Sequence, residues 1–71
     1  MIIVRLDRVM ADRKVKLNEL SEMVDVSVAN LSNLKTGKVK AVRFSTLEAI
    51  CKALDCQPGD LFEYVENDSG K

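Results

Sequence analysis

The sequence predicts a mainly α domain of five short helices whose two chain ends pair as a short antiparallel β-ribbon. Three observations carry this. Apolar residues recur at three- and four-residue spacing in four successive segments. Those segments are separated by turn and capping residues, with Gly37 and the single proline, Pro58, among them. A β-branched run opens the chain, and an alternating one lies near its end. At 71 residues there is room for one small domain. Residues 1–66 are expected to form it, with 67–71 (Asn-Asp-Ser-Gly-Lys) as a flexible tail.

Met1-Ile-Ile-Val4 is too short for a helix and suits a strand. Leu6, Val9 and Met10 then mark a first helix over Arg5–Arg13, followed by a basic link of Arg13, Lys14 and Lys16. These bases suit either a phosphate contact or the negative end of a helix dipole. Leu17, Leu20 and Val24 give a second helix, and Asp25 stands where the chain must turn sharply. Asp tolerates the left-handed backbone such a turn needs. Ser27 is a good N-cap for a third helix, whose only apolar residues at core spacing are Leu31 and Leu34. Gly37 stops it with a positive φ. After the loop to Arg43, Ser45-Thr-Leu-Glu48 matches a capping box, with Ser45 as N-cap and Glu48 reaching back. Leu47, Ile50, Cys51 and Leu54 form the apolar face of the fourth helix. Pro58 opens a four-residue fifth helix to Leu61, and Phe-Glu-Tyr-Val-Glu66 alternates as a strand that pairs with the first. A lone two-stranded ribbon is marginal in water, so it must lie on the helices.

Composition narrows the function. No apolar run approaches the roughly 20 residues of a membrane span, and no signal peptide is apparent. The expected location is cytoplasmic. Histidine is absent, and neither a carboxylate pair nor a glycine-rich phosphate loop is visible, so the chain is not expected to be an enzyme or to carry a cofactor or metal. Cys51 and Cys56 stand five apart, which is neither a Cys-x-x-Cys pair nor a tetrahedral zinc set. They are expected to be reduced, with Cys51 buried and Cys56 near a helix end.

The formal net charge is zero, yet the charges are segregated. Residues 13–43 hold seven bases against three acids, and residues 44–71 hold two bases against six acids. A dipolar chain of this kind can turn one basic face to nucleic acid. The third helix supports that choice. Opposite Leu31 and Leu34 it carries Ala29, Ser32 and Asn33, with Val28 at the edge, a small neutral face poorly explained by packing and suited to the major groove.

The stretch Leu17–Lys38 resembles the helix-turn-helix of the phage Cro/repressor-like, or XRE-type, family of bacterial and phage transcriptional regulators. The resemblance rests on Leu20-Ser21, Val26-Ser27, Leu31, Leu34 and Gly37-Lys38, and continues through Arg43–Leu47 and Ile50–Leu54. Leu17, Asp25 and Lys35 depart from the family's usual residues. It implies a lambda-repressor-like domain that binds double-stranded DNA, as a homodimer on a palindromic operator and in the role of a repressor. Val28, Ala29, Ser32 and Asn33 would then meet base edges. Asn30, Lys38, Lys40 and Arg43 would hold the phosphate backbone, and Gln57, Pro58 and Leu61 would form the dimer surface. Proline and leucine there suit an intramolecular core equally. An antitoxin-like or anti-activator protein-interaction module on the same fold is the alternative. The neutral charge and Leu17 lean towards it, and the loop bases lean away.

Overall fold

The computed structural model describes residues 1–39 and 41–66. Lys40 and the expected tail at 67–71 lie outside the described residues. The order is β1 (Ile2–Val4), α1 (Leu6–Arg13), α2 (Leu17–Val24), α3 (Val28–Lys35), α4 (Phe44–Leu54), α5 (Pro58–Leu61) and β2 (Phe62–Tyr64). The apolar positions that gave the helical spacing make one core. Leu6, Leu20, Leu31, Ile50, Leu54 and Leu61 are its most completely buried members. Each of the five helices contributes at least one of them, so no helix is stable apart from the others.

β1 and β2 pair antiparallel, with Ile2 opposite Tyr64, Ile3 opposite Glu63 and Val4 opposite Phe62. Val65 N–H to the Met1 carbonyl, at 2.8 Å, extends the pairing by a step. Val4 and Phe62 are half-buried against the core, which is the helical support that the ribbon requires. Arg5 follows β1 directly and is held twice. Its N–H donates to the Leu61 carbonyl at 2.6 Å, and its guanidinium meets Glu63 at 2.8 Å.

α1, α2 and α4 all end on a non-glycine residue in the left-handed region: Lys14, Asp25 and Asp55, at φ 58°, 57° and 53°. In each, the residue after it turns its N–H back to a carbonyl five residues upstream: Val15 to Met10, Val26 to Ser21, Cys56 to Cys51. These are Schellman closures, which satisfy the last free carbonyls of a helix and bring two side chains together across its end. Asp25 behaves as expected; Lys14 carries no local sign of this conformation in the sequence.

Two expectations are corrected here. The capping box at Ser45 does not form. α4 starts one residue earlier, at Phe44, because Arg43 already accepts the first helical bond, from Leu47 N–H at 3.0 Å. Ser45 is thereby inside the helix and cannot act as its N-cap. The burial of the two cysteines is also corrected. Cys56 stands at a helix end as expected, but it is the buried one and Cys51 is half-buried, both as free thiols, since the Schellman closure folds Cys56 back over the end of α4.

Candidate nucleic-acid interface

The turn between α2 and α3 is set by a small hydrogen-bonded ring. Ser21 Oγ donates to the Val26 carbonyl at 2.5 Å, while Val26 N–H donates to the Ser21 carbonyl at 3.3 Å. With Asp25 left-handed between them, the chain reverses and Val26 packs against the core. Ser27, extended at ψ 151°, caps α3 by accepting from Asn30 N–H at 3.1 Å. At the other end of α2, the Glu19 carboxylate accepts from Lys16 N–H at 2.8 Å. That back-bond fixes the entry to the pair of helices.

α3 is anchored on one side only. Leu31 and Leu34 are buried, whereas Val28, Ala29, Asn30 and Asn33 are exposed and Ser32 is half-buried. Val28 leaves 44% of its surface open, a large share for a valine on an eight-residue helix. Four neutral residues thus form a shallow outward face (Val28, Ala29, Ser32, Asn33), with half-buried Lys35 along its Val28 edge. Such a face can contact base edges through methyl groups, a hydroxyl and one amide.

The end of α3 is clamped. Gly37 N–H donates to the Leu34 carbonyl at 3.1 Å and Lys38 N–H to the Asn33 carbonyl at 2.8 Å. Thr36 Oγ1 adds bonds to the Ser32 and Asn33 carbonyls, at 2.9 and 3.3 Å. Gly37 stands at φ 79° with open space where a Cβ would be, so its freedom is needed for the backbone angle and not for clearance. The helix end beneath Asn33 is therefore held by four hydrogen bonds, the kind of support that orients a side chain.

Among the expected phosphate-holding residues, Asn30 and Arg43 line one cleft, together with Ser27 and Thr46. Lys38 stands apart from that cleft, exposed at the far end of α3, and Lys40 lies outside the described residues. Arg43 is exposed at the entry to α4. Two cations and an amide thus flank the outward face of α3 from both ends.

Arg13 is not available to phosphate as the sequence allowed. Its Nε donates to the Leu54 carbonyl at 2.7 Å and its terminal nitrogen to the Asp55 carbonyl at 3.0 Å. It complements a helix C-terminus, but that of α4 and not of its own helix.

The expected dimer surface is corrected in one member. Leu61 is 2% exposed and belongs to the core, because the single turn of α5 drives it inward beneath α1. Gln57 and Pro58 are exposed. They line an apolar groove with Leu47, Cys51, Cys56 and a residue the sequence did not single out, Phe44. Phe44 is 80% exposed, more than any other large hydrophobic side chain among the described residues. Spacing alone did not mark it, since it stands three residues before Leu47 and seven before Cys51 and the helix period groups it with them.

Among the described residues no three His, Cys, Asp or Glu side chains gather as a metal set, and no helix is long and apolar enough to cross a membrane. Burial pushes the Cys56 thiol up, and the adjacent Cys51 adds to the shift.

Comparison with known proteins agrees with this geometry. Residues 5–67 match the family described as the Cro/C1-type HTH DNA-binding domain. The chain is 59% identical over 70 residues to an "Uncharacterized HTH-type transcriptional regulator YozG" of Bacillus subtilis (strain 168), covering 97% of this chain and 83% of that protein. Among solved structures, that of the transcriptional regulator VanUg (Form II) superposes with a TM-score of 0.73 at 34% identity, covering 93% of this chain and 87% of the other.

Proposed function

The chain belongs to the Cro/C1-type helix-turn-helix DNA-binding family, and from that premise we propose that it is a repressor that binds a palindromic operator as a homodimer, in the cytoplasm at the nucleoid. Membership makes it a DNA-binding transcriptional regulator and not an enzyme. The finer assignment is ours. α3 enters the major groove, Val28, Ala29, Ser32 and Asn33 meet base edges, and Asn30, Lys38, Lys40 and Arg43 hold phosphates. The observation that carries it is the one-sided anchoring of α3. Leu31 and Leu34 are buried, while a neutral face of small side chains is left open on a backbone clamped at both ends.

Homodimerisation follows from how little one such face can read. Four small side chains supply few base contacts, and two-fold repetition over half-sites about 34 Å apart doubles them. The groove between α4 and α5 supports pairing there. Its rim carries exposed Phe44 and Pro58, so a two-fold axis would seat each copy's Phe44 against the other's groove.

Binding-site selection with the purified protein, run at two salt concentrations, tests the proposal. Enrichment of a palindrome with two equal half-sites is the expected outcome. Enrichment of a single unrepeated half-site would remove the dimer. No enrichment at either salt would favour the antitoxin-like or anti-activator alternative.

A further inference from the structure

The two cysteines have no part in reading DNA, though both line the groove proposed for pairing, and the fold brings them together in a way their spacing does not announce. Cys51 is in the last full turn of α4. Cys56 is the residue that closes the helix, beyond left-handed Asp55, and its N–H returns to the Cys51 carbonyl at 3.0 Å. In such a closure the side chains of these two positions face each other across the helix end. The Cys51 thiol also lies close enough to Cys56 to act on it directly, by charge and by a side-chain hydrogen bond. Both thiols are free, and both line the same solvent-open apolar groove as Phe44, Leu47 and Pro58.

We propose that Cys51 and Cys56 are an oxidisable dithiol, converted by small organic hydroperoxides into a reversible intramolecular disulfide across the end of α4. Cys51 is the sulfur that reacts first, because it is half-buried and reachable from the groove whereas Cys56 is only 8% exposed. Its sulfur attacks the outer oxygen of the hydroperoxide. The O–O bond breaks, the remaining oxygen leaves as an alcohol with the thiol proton, and Cys51 becomes a sulfenic acid. The Cys56 sulfur then attacks the Cys51 sulfur. The S–O bond breaks, and the hydroxyl leaves as water with the Cys56 proton. Two thiols lose two electrons to one hydroperoxide, which ends as one alcohol and one water. Burial pushes the Cys56 thiol up, which disfavours it as the first sulfur to attack. Metal binding is a poorer use of the pair, since two sulfurs fall short of a tetrahedral set.

The test treats the intact reduced chain with cumene hydroperoxide and follows it by mass spectrometry with peptide mapping. The expected product is lighter by the two thiol hydrogens, carries a Cys51–Cys56 link, and returns to the starting mass with dithiothreitol. Cys56→Ser should trap the intermediate, giving a dimedone adduct on Cys51. Cys51→Ser should leave Cys56 unmodified over the same period. Oxygen adducts on both cysteines without a link, or links only between chains, would overturn the proposal. So would faster linkage in urea than in buffer, because the folded helix end would then hinder the reaction. A change in self-association on oxidation is a further consequence. It rests on the pairing proposed for this groove, and its failure would leave the mass result standing.

Discussion

Arg13 Nε donates to the carbonyl of Leu54, 41 residues away, at 2.7 Å, and so ties the end of α1 to the end of α4. A second bond from the same guanidinium, to Asp55 at 3.0 Å, spans the left-handed residue that closes α4. One side chain thus satisfies two carbonyls that the helix itself cannot. Charged hydrogen bonds of this kind are worth roughly 1.5–3 kcal/mol when partly shielded. Because Arg13 is itself exposed, solvent screening brings the expected value to the bottom of that range or just below it. Arg13→Ala should cost about 1–2 kcal/mol in thermal or urea unfolding, and Arg13→Lys should recover little, since an ammonium lacks the planar fork. Unchanged stability of Arg13→Ala would mean that water replaces the bonds at no cost.

The ribbon of β1 and β2 joins the two ends of the domain over its helices. Val4 is half-buried under it and packs on the core with Phe62. Removing residues 1–4 exposes that surface and unpairs β2. A loss of about 2 kcal/mol is expected from the apolar burial alone, seen as a fall in Tm of roughly 10 °C for a domain of this size. A truncated chain that melts with the intact one would show the ribbon to be an ornament on an independent helical core.

Phe44 has no stabilising role within one chain, being 80% exposed at the first position of α4. Phe44→Ala should therefore leave the unfolding transition within about 0.5 kcal/mol of wild type. If the groove it shares with Pro58 is the pairing surface, the same change should weaken self-association by about 2 kcal/mol in sedimentation equilibrium. Intact self-association of the variant would move the pairing surface elsewhere.

Lys38 and Arg43 flank the outward face of α3, and neither forms an ion pair among the described residues. Each Lys→Ala or Arg→Ala change should weaken binding to operator and to random DNA alike. The slope of log affinity against log salt should become shallower by about one unit for each. A loss confined to the operator would give that residue a base contact and remove it from the backbone.

What the sequence disclosed and what it withheld divide along chain distance. The helix-turn-helix was legible because Leu20, Val24, Leu31 and Leu34 repeat with the helix period, and Asp25, Ser27 and Gly37 punctuate it locally. The ribbon was legible from β-branched and alternating runs, although the pairing itself joins residues some 60 apart. The Arg13 contact was not legible, because nothing near Arg13 specifies which helix end it will reach. Leu61 misled, since a single helical turn has no period from which to tell its inner side, and burial there depends on how α5 docks under α1. Ser45 misled for another reason. Its match to a capping box is sound locally, but the helix start is decided by Arg43, whose carbonyl takes the first bond. The cysteines join both lessons: a spacing of five says little until a left-handed Asp55 folds one back over the other.

Asn33 is the residue on which the base-reading proposal turns. It is exposed on the side of α3 away from buried Leu31 and Leu34. Its carbonyl accepts from Lys38 N–H and from Thr36 Oγ1, which fixes where the amide is mounted. An amide can donate to N7 and accept from N6 of one adenine in a single plane, a pairing no other base edge offers. Val28 and Ala29 present methyl surface beside it, suited to thymine C5-methyl groups, so the half-site should hold A·T pairs near the centre of contact. Asn33→Ala removes the amide without touching the core or the cap at Ser27. It should cost about 1–3 kcal/mol on the selected operator, leave non-specific affinity nearly unchanged, and relax the preference at one base pair. Fluorescence anisotropy on the operator and on variants of that base pair measures all three. Equal affinity of wild type and Asn33→Ala for the operator would take Asn33 off the base-reading face and leave Ser32 as its one remaining polar side chain.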